Sequence, residues 1–281
     1  MRQDLLTKFQ QDGFLIIEDF LTDQEVKNLQ NAGIELAKNI PADEQKSIFT
    51  TTKLPQNSDK YFLESGDKIR YFYESGAFNE NGELQVPQEV ALNKIGHALH
   101  WLHPVFKDVS FSDKVQDLCQ ALRMEAPVIL QSMYIFKNPG IGGVVVPHQD
   151  STFLHTEPNS LIGLWFPLDD ATLENGCLWF IPGSHTSGVH RRYTRNPDTN
   201  SSELLIFDRP PVTYPTSGFS PYPCPKGSCV VIHGNVVHKS EANKSSKSRH
   251  AYTFHIMDAT SKYSPDNWLQ SPNGFPLLYS D

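Results

Sequence analysis

The sequence predicts a mainly β fold with flanking α-helices, an antiparallel sandwich or jelly roll, and two observations carry that prediction. From about residue 125 onward six β-rich runs follow one another: "APVILQSMYIF", "GGVVVPHQD", "SLIGLWFPL", "GCLWFIPGSH", "GSCVVIHGNVVHKS" and "SRHAYTFHIM". Turn residues punctuate them and no helix-period stretch separates them, which argues against a parallel α/β sheet. Before that point the apolar residues recur mostly at helical spacing. A sandwich or barrel of this size forms a single unit, so residues 1–281 are read as one domain, with 1–124 a mostly helical packing region and 125–260 the jelly-roll core.

In chain order, "QDLLTKFQQDGF" reads as a helix and "FLIIEDF" as a short strand. "LTDQEVKNLQNAGIELAKNI" follows as a second helix, with Thr22 as N-cap and Glu25 completing a capping box. Residues 41–60 are polar and without period, a loop or partly disordered arm, and a third helix is expected from Pro87 to His103. Within the strand-rich part, the segment from Thr186 to Pro225 is long and rich in proline, the kind of connection that serves as a functional lid.

Lys and Arg number 24 against 32 Asp and Glu, a formal charge of -8, which disfavours a nucleic-acid or anionic-membrane surface. Cys119, Cys177, Cys224 and Cys229 show no C-x-x-C spacing and are read as free thiols in a reducing compartment. The N-terminal residues lack the apolar core of a signal peptide, no run approaches a membrane span, and the terminal "LLYSD" is not a peroxisomal address. The expected location is the cytoplasm, and no obligate protein partner is evident.

The chemistry begins in "GGVVVPHQD". A β-branched run bounded by glycines and Pro147 reads as a buried strand, and alternation puts His148 and Asp150 on one face with Gln149 on the other. An imidazole and a carboxylate sharing a face make two-thirds of a metal site with two histidines and one carboxylate. His97, His100 and His103 lack the glutamate of a zinc-helix motif, and His155, His185, His190, His250 and His255 sit where an ordinary hydrogen bond suffices. "VVIHGNVVHKS" remains, with His233 and His238. His238 follows a Val-Val pair much as His148 follows its valines, and Ser240 lies two residues on, on the same face. A hairpin pairing Ser240 with Arg249, and His238 with Ala251, would aim all four side chains one way, with Tyr252, Phe254 and Ile256 packing outward on helices. A buried guanidinium needs an anion, for which a carboxylate is the natural partner. A facial triad with open positions is the arrangement of non-haem Fe(II) oxygenases.

With those residues in hand, the sequence resembles the phytanoyl-CoA dioxygenase family of Fe(II)/2-oxoglutarate oxygenases. The resemblance runs from "FQQDGFLIIEDFL" through "SGDKIRYFYESGAF", "QSMYIFKNPGIGG" and "GCLWFIPGSH" to "HGNVVHKS" and "SPDNWLQ". It implies a double-stranded β-helix of cupin-like form, with iron on His148, Asp150 and His238. It also implies that Arg249 and Ser240 hold the far carboxylate of 2-oxoglutarate and that Lys94, Met133, Trp165 and Gln149 add cosubstrate contacts. By local pattern alone, Lys94 would be a solvated helix residue, and Met133 and Trp165 would be core. The implied reaction uses O2, converts 2-oxoglutarate to succinate and CO2, and hydroxylates a small organic substrate. Hydroxylation is preferred to halogenation because Asp150 keeps the carboxylate that related halogenases lack. An acyl-CoA is one candidate substrate, and "HRRYTR", residues 190–195, could meet its phosphates. The alternative reading is a jelly-roll zinc hydrolase or isomerase on the same three ligands.

Overall fold

The computed structural model describes residues 2–279; Met1 and the last two residues of the terminal "LLYSD" lie outside that range. The apolar runs build a large sheet with strand order β1-β13-β8-β15-β5-β4-β3-β2. Its strands are β1 (Phe14–Ile17), β2 (Ser47–Phe49), β3 (Ile69–Glu74), β4 (Leu92–His97), β5 (Pro127–Ile135), β8 (Ile162–Pro167), β13 (Cys229–His233) and β15 (Ala251–Asp258). A smaller sheet of order β12-β9-β14-β6 faces it, made of β6 (Val145–His148), β9 (Leu178–Phe180), β12 (Ser220–Tyr222) and β14 (His238–Ser240). Two short ladders complete the strands: β10 (Tyr193–Arg195) with β11 (Leu205–Phe207), and β7 (Thr156–Glu157) with β16 (Lys262–Tyr263).

The central strands β8 and β15 are buried at every position, which is why their sequences are almost continuously apolar rather than alternating. On one face Phe166, Tyr252, Phe254 and Ile256 join the main core with the helices; Tyr252 reaches Ser110 of helix α5 (Pro104–Ser110) at 2.7 Å. On the other face Trp165 and Ala251 pack with Leu178 and Phe180 of the small sheet. The metal-site residues lie in this second layer.

Helix α1 (Arg2–Asp12) leads into β1, and α2 (Asp23–Lys38) carries the expected capping box. The Thr22 hydroxyl accepts from the Glu25 amide at 3.2 Å, and the Glu25 carboxylate accepts from the Thr22 amide at 2.8 Å. Val26, Leu29, Ala32, Gly33 and Ala37 form the buried stripe of α2. Gly33 allows the helix to touch the sheet, because a Cβ there would fall 2.3 Å from the Tyr134 ring. The remaining helices are short: α3 (Lys60–Leu63), α4 (Leu99–Leu102) and α6 (Asp113–Ala121). Among the described residues no helix is long and apolar enough to cross a membrane. All four cysteines are buried free thiols.

Three expectations are corrected. Residues 41–60 are not a patternless arm: β2 pairs in parallel with β3, and the Thr51 hydroxyl donates to the Val144 carbonyl at 3.0 Å. The stretch from Pro87 to His103 is not one helix but a turn at Gln88–Val90, then β4, then α4. Its apolar spacing resembles a helical period, yet β4 fills a slot between β3 and β5, and the ladder bonds on both sides outweigh local propensity. Residues before 125 therefore give four strands to the large sheet as well as its helices. The hairpin between His238 and Arg249 does not form either. His238 pairs with His148 and Phe180, whereas Ala251 pairs with Ile135 and Pro167, so the chain crosses from one sheet to the other between them.

Gly33→Ala is expected to cost about 1–3 kcal/mol through overpacking against Tyr134, measurable as a lower thermal unfolding midpoint by circular dichroism. A second expectation concerns pH. His97 and His100 are buried, and burial drives His97 well below and His100 down to about 3 from the ordinary 6.5. Both stay neutral in the folded chain and protonate when it unfolds, so the unfolded state binds more protons below that pH. The unfolding midpoint should fall as pH is lowered from 7 to 5, and His100→Gln should flatten that slope.

Candidate metal and cosubstrate site

Strand β6 ends at His148, and a tight turn at Asp150–Thr152 follows at once. Strand β14 lies beside β6 with His238 directly opposite His148, and the two imidazole centroids are 4.2 Å apart. Asp150 Oδ1 is 3.5 Å from His148 Nε2 and 3.7 Å from His238 Nε2. All three ligand atoms lie within 4.8 Å of one another, close enough for one ion to reach them all.

Two carbonyls decide which ring nitrogens are free. His148 Nδ1 donates to Val146 O at 2.9 Å and His238 Nδ1 to Val236 O at 3.1 Å. A carbonyl can only accept, so Nδ1 carries the proton and Nε2 presents its lone pair. The matching valine pairs before each histidine are thus part of the site. Burial, reinforced by His148, holds His238 down to about 4, which keeps it neutral and able to ligate. Burial opposes ionisation of Asp150, but the neighbouring imidazoles of His238 and His255, with a hydrogen bond from His255, outweigh it and hold the carboxyl well below its usual range.

Facing these ligands, the inner side of the large sheet is laid out in rows. Met133, Thr253 and Trp165 are cross-strand neighbours in one row. Lys94, Ile135 and Ala251 form the next. Arg249, two residues before Ala251, is fully buried, and its Nε and Nη1 have no hydrogen-bond partner among the described residues. The Ser240 hydroxyl is likewise buried and unpartnered. The guanidinium sits 5.1 Å from the Trp165 ring centroid, and burial lowers it to about 10. Lys94 is on a strand and buried, 3.4 Å from the Phe49 ring centroid, and burial pulls its ammonium down to about 7.

Gln149 has a different occupation. Its Nε2 donates to Gly188 O and Asn235 O at 2.8 and 2.7 Å, and its Oε1 accepts from the His190 amide at 2.8 Å. Its amide is committed to backbone groups, so it braces the segment after Gly188 and has no N–H left for a cosubstrate. His233 also lies apart: its Nδ1 accepts from the Asn235 amide, and its ring lies against His185. The arginines of "HRRYTR" are partly engaged, the buried Nε of Arg192 and of Arg195 remaining without a hydrogen-bond partner among the described residues. Arg192 donates to Ser264, Arg195 to the Trp268 carbonyl, and Arg191 lies 3.8 Å over the Phe207 ring.

His255, read from sequence as an ordinary hydrogen-bonding residue, touches the site: its Nε2 is 3.2 Å from Asp150 Oδ2. Alternation forward along β15 from Arg249 through Ala251 and Thr253 reaches His255 on the same face, a signal that could have found it. Phe153 is a further neighbour, its ring 6.0 Å from that of His148 and 5.5 Å from that of Tyr193.

The family profile described as Phytanoyl-CoA dioxygenase (PhyH) matches residues 9–251. Phytanoyl-CoA dioxygenase domain-containing protein 1 of Bos taurus is 49% identical, over 98% of this chain and 97% of its own. Phytanoyl-CoA dioxygenase of Arabidopsis thaliana is 44% identical, over 95% and 93%. Among solved structures, the epimerase SnoN in complex with Fe3+, alpha ketoglutarate and nogalamycin RO superposes with TM-score 0.65 at 18% identity, covering 99% of this chain and 98% of that one. EctD from S. alaskensis with 2-oxoglutarate and 5-hydroxyectoine gives 0.64 at 17%, covering 97% and 84%. At such identities the likeness is one of fold, and the jelly roll expected from sequence is the fold found.

Asp150→Ala and His238→Ala should each weaken divalent metal binding by about 100-fold or more, a ligand being worth at least what an outer hydrogen-bond partner is. Calorimetric titration with Co(II) measures it, and unchanged affinity in either variant would remove that residue from the site.

Proposed function

The chain belongs to the phytanoyl-CoA dioxygenase family, and from that premise we propose that it is a non-haem Fe(II)- and 2-oxoglutarate-dependent dioxygenase that hydroxylates a small organic substrate. One observation carries the reading: two imidazoles and a carboxylate converge from one side of the jelly roll, while a buried guanidinium and a buried hydroxyl lie unpartnered within the same fold.

His148, Asp150 and His238 would hold the iron, two neutral imidazoles and an ionised carboxylate forming a set suited to Fe(II) that leaves positions open. When bound, iron and cosubstrate supply O2 activation, so that substrate C–H, 2-oxoglutarate and O2 give substrate C–OH, succinate and CO2. Arg249 offers two N–H groups to a carboxylate, a charge-assisted contact that offsets the cost of burying the guanidinium. Ser240 adds a hydroxyl donor, and the Trp165 ring supports the guanidinium from one side. Lys94 and Met133 stand on the same inner face and complete the cosubstrate wall.

A zinc hydrolase on the same ligands would leave the guanidinium and the Ser240 hydroxyl without a use. Substrate selectivity is assigned to Phe153 and to the segment from Thr186 to Pro225, whose Tyr193 and Phe207 rings meet at a tilt with centroids 4.8 Å apart. With the rings of Phe153, Tyr193 and Phe207 in contact along this wall, an apolar or ring-bearing substrate suits it better than a phosphate-rich one. Free buried thiols fit a cytoplasmic enzyme acting on a soluble substrate.

The purified chain should form succinate from 2-oxoglutarate only with Fe(II) present. Arg249→Ala should weaken 2-oxoglutarate binding by about 30-fold or more, equivalent to about 2 kcal/mol, with Co(II) affinity retained. Wild-type cosubstrate affinity in that variant would overturn the assignment of Arg249, and absence of succinate formation by the wild type would overturn the reaction.

A further inference from the structure

We infer that His255, itself oriented by Gln131, is a positioning residue that holds Asp150 to the metal through one oxygen and so keeps a coordination position open for O2; the inference rests on the iron site proposed above. The two oxygens of Asp150 have different surroundings. Oδ1 faces the Nε2 atoms of His148 and His238, at 3.5 and 3.7 Å. Oδ2 faces His255 Nε2 at 3.2 Å. An ionised carboxylate only accepts, so His255 Nε2 must carry a proton and donate it to Oδ2.

Gln131 sets that tautomer. Its Nε2 lies 3.3 Å from His255 Nδ1, and an amide N–H directed at Nδ1 requires a lone pair there, which leaves the ring proton on Nε2. Gln131, His255 and Gly163 occupy one row across β5, β15 and β8, so the sheet register itself brings them together. Gly163 is the third observation. A Cβ at this position would lie 3.2 Å from Asp150 Oδ2 and 3.5 Å from the His255 ring. Glycine weakens a strand interior, and here it leaves the space that the carboxylate–imidazole pair occupies.

The consequence is a matter of coordination number. Two histidines and a carboxylate bound through one oxygen fill three of about six positions on Fe(II); the keto acid takes two more and one remains. A carboxylate bound through both oxygens would fill that last position. The donor on Oδ2 opposes that second bond by engaging the oxygen that would make it.

Nitric oxide binding to the anaerobic Fe(II)–2-oxoglutarate protein reports the open position directly, through the S = 3/2 resonance of the adduct. In His255→Phe, Fe(II) affinity should fall by about tenfold, as for loss of an outer hydrogen-bond partner; at saturating Fe(II) and 2-oxoglutarate, nitric oxide affinity should also fall by about tenfold or more, with succinate formation falling in parallel. His255→Gln, which restores an N–H donor, should recover the adduct. Gln131→Leu, remote from the metal, should show an intermediate loss, and it decides the matter should His255→Phe fail to fold. Wild-type nitric oxide affinity in the folded His255→Phe protein, or in Gln131→Leu if the former is unfolded, would overturn the inference. Failure of the wild type to bind Fe(II) or 2-oxoglutarate would instead overturn the iron reading on which it rests.

Discussion

The buried guanidinium of Arg249 is the constraint around which the interior is arranged. A permanent cation with two free N–H groups is tolerated in a protein core only where an anion can reach it. The surroundings supply partial compensation: the Trp165 ring face at 5.1 Å and the Asp169 carboxylate, whose charge favours the cation from a distance. Neither gives the bidentate partner that guanidinium geometry asks for. The small residues Ala251 and Thr253 follow Arg249 at alternate positions along the same strand face.

The candidate metal-binding residues are fixed with comparable care by different means. Each histidine is locked by its own strand, through a hydrogen bond to the carbonyl two residues earlier. Their strands are direct neighbours in the small sheet, so their spacing is set by a ladder and not by a loop. Sites carried on strands hold their geometry more closely than sites on connections. Asp150 sits on a turn and is held from the far side by His255 of the opposite sheet, which ties the two sheets together at the site.

Around this centre lie two long connecting segments. Residues 41–60 and the segment from Thr186 to Pro225 are far apart in sequence yet physically joined: the Tyr193 hydroxyl donates to Asn57 Oδ1 at 2.6 Å and the Leu204 amide donates to Asn57 O at 2.7 Å. Thr51 in turn bonds to the β6 strand that carries His148. The two segments form one wall, so a change in either is transmitted to the other and to the ligand strand.

The sequence by itself determined the β-rich jelly roll, the capping box of α2, and the pattern that singles out His148, Asp150 and His238, which the fold brings together, and Arg249, which it buries. Each is legible because it depends on local pattern: alternation along a strand, a side chain reaching its own backbone, or a charge placed in an apolar run. Tertiary structure alone decided the rest. Lys94 looked like a solvated helix residue until β3 and β5 claimed its strand from both sides. Gln149 looked available until its amide was seen committed to Gly188 and Asn235. Ser240 and Arg249 are not joined by a hairpin, because the chain crosses between them from one sheet to the other, and His255 meets Asp150 only because their sheets stack. Contacts between sheets depend on how whole strands are ordered, and residues separated by about a hundred positions carry no mutual pattern for a local reading to detect.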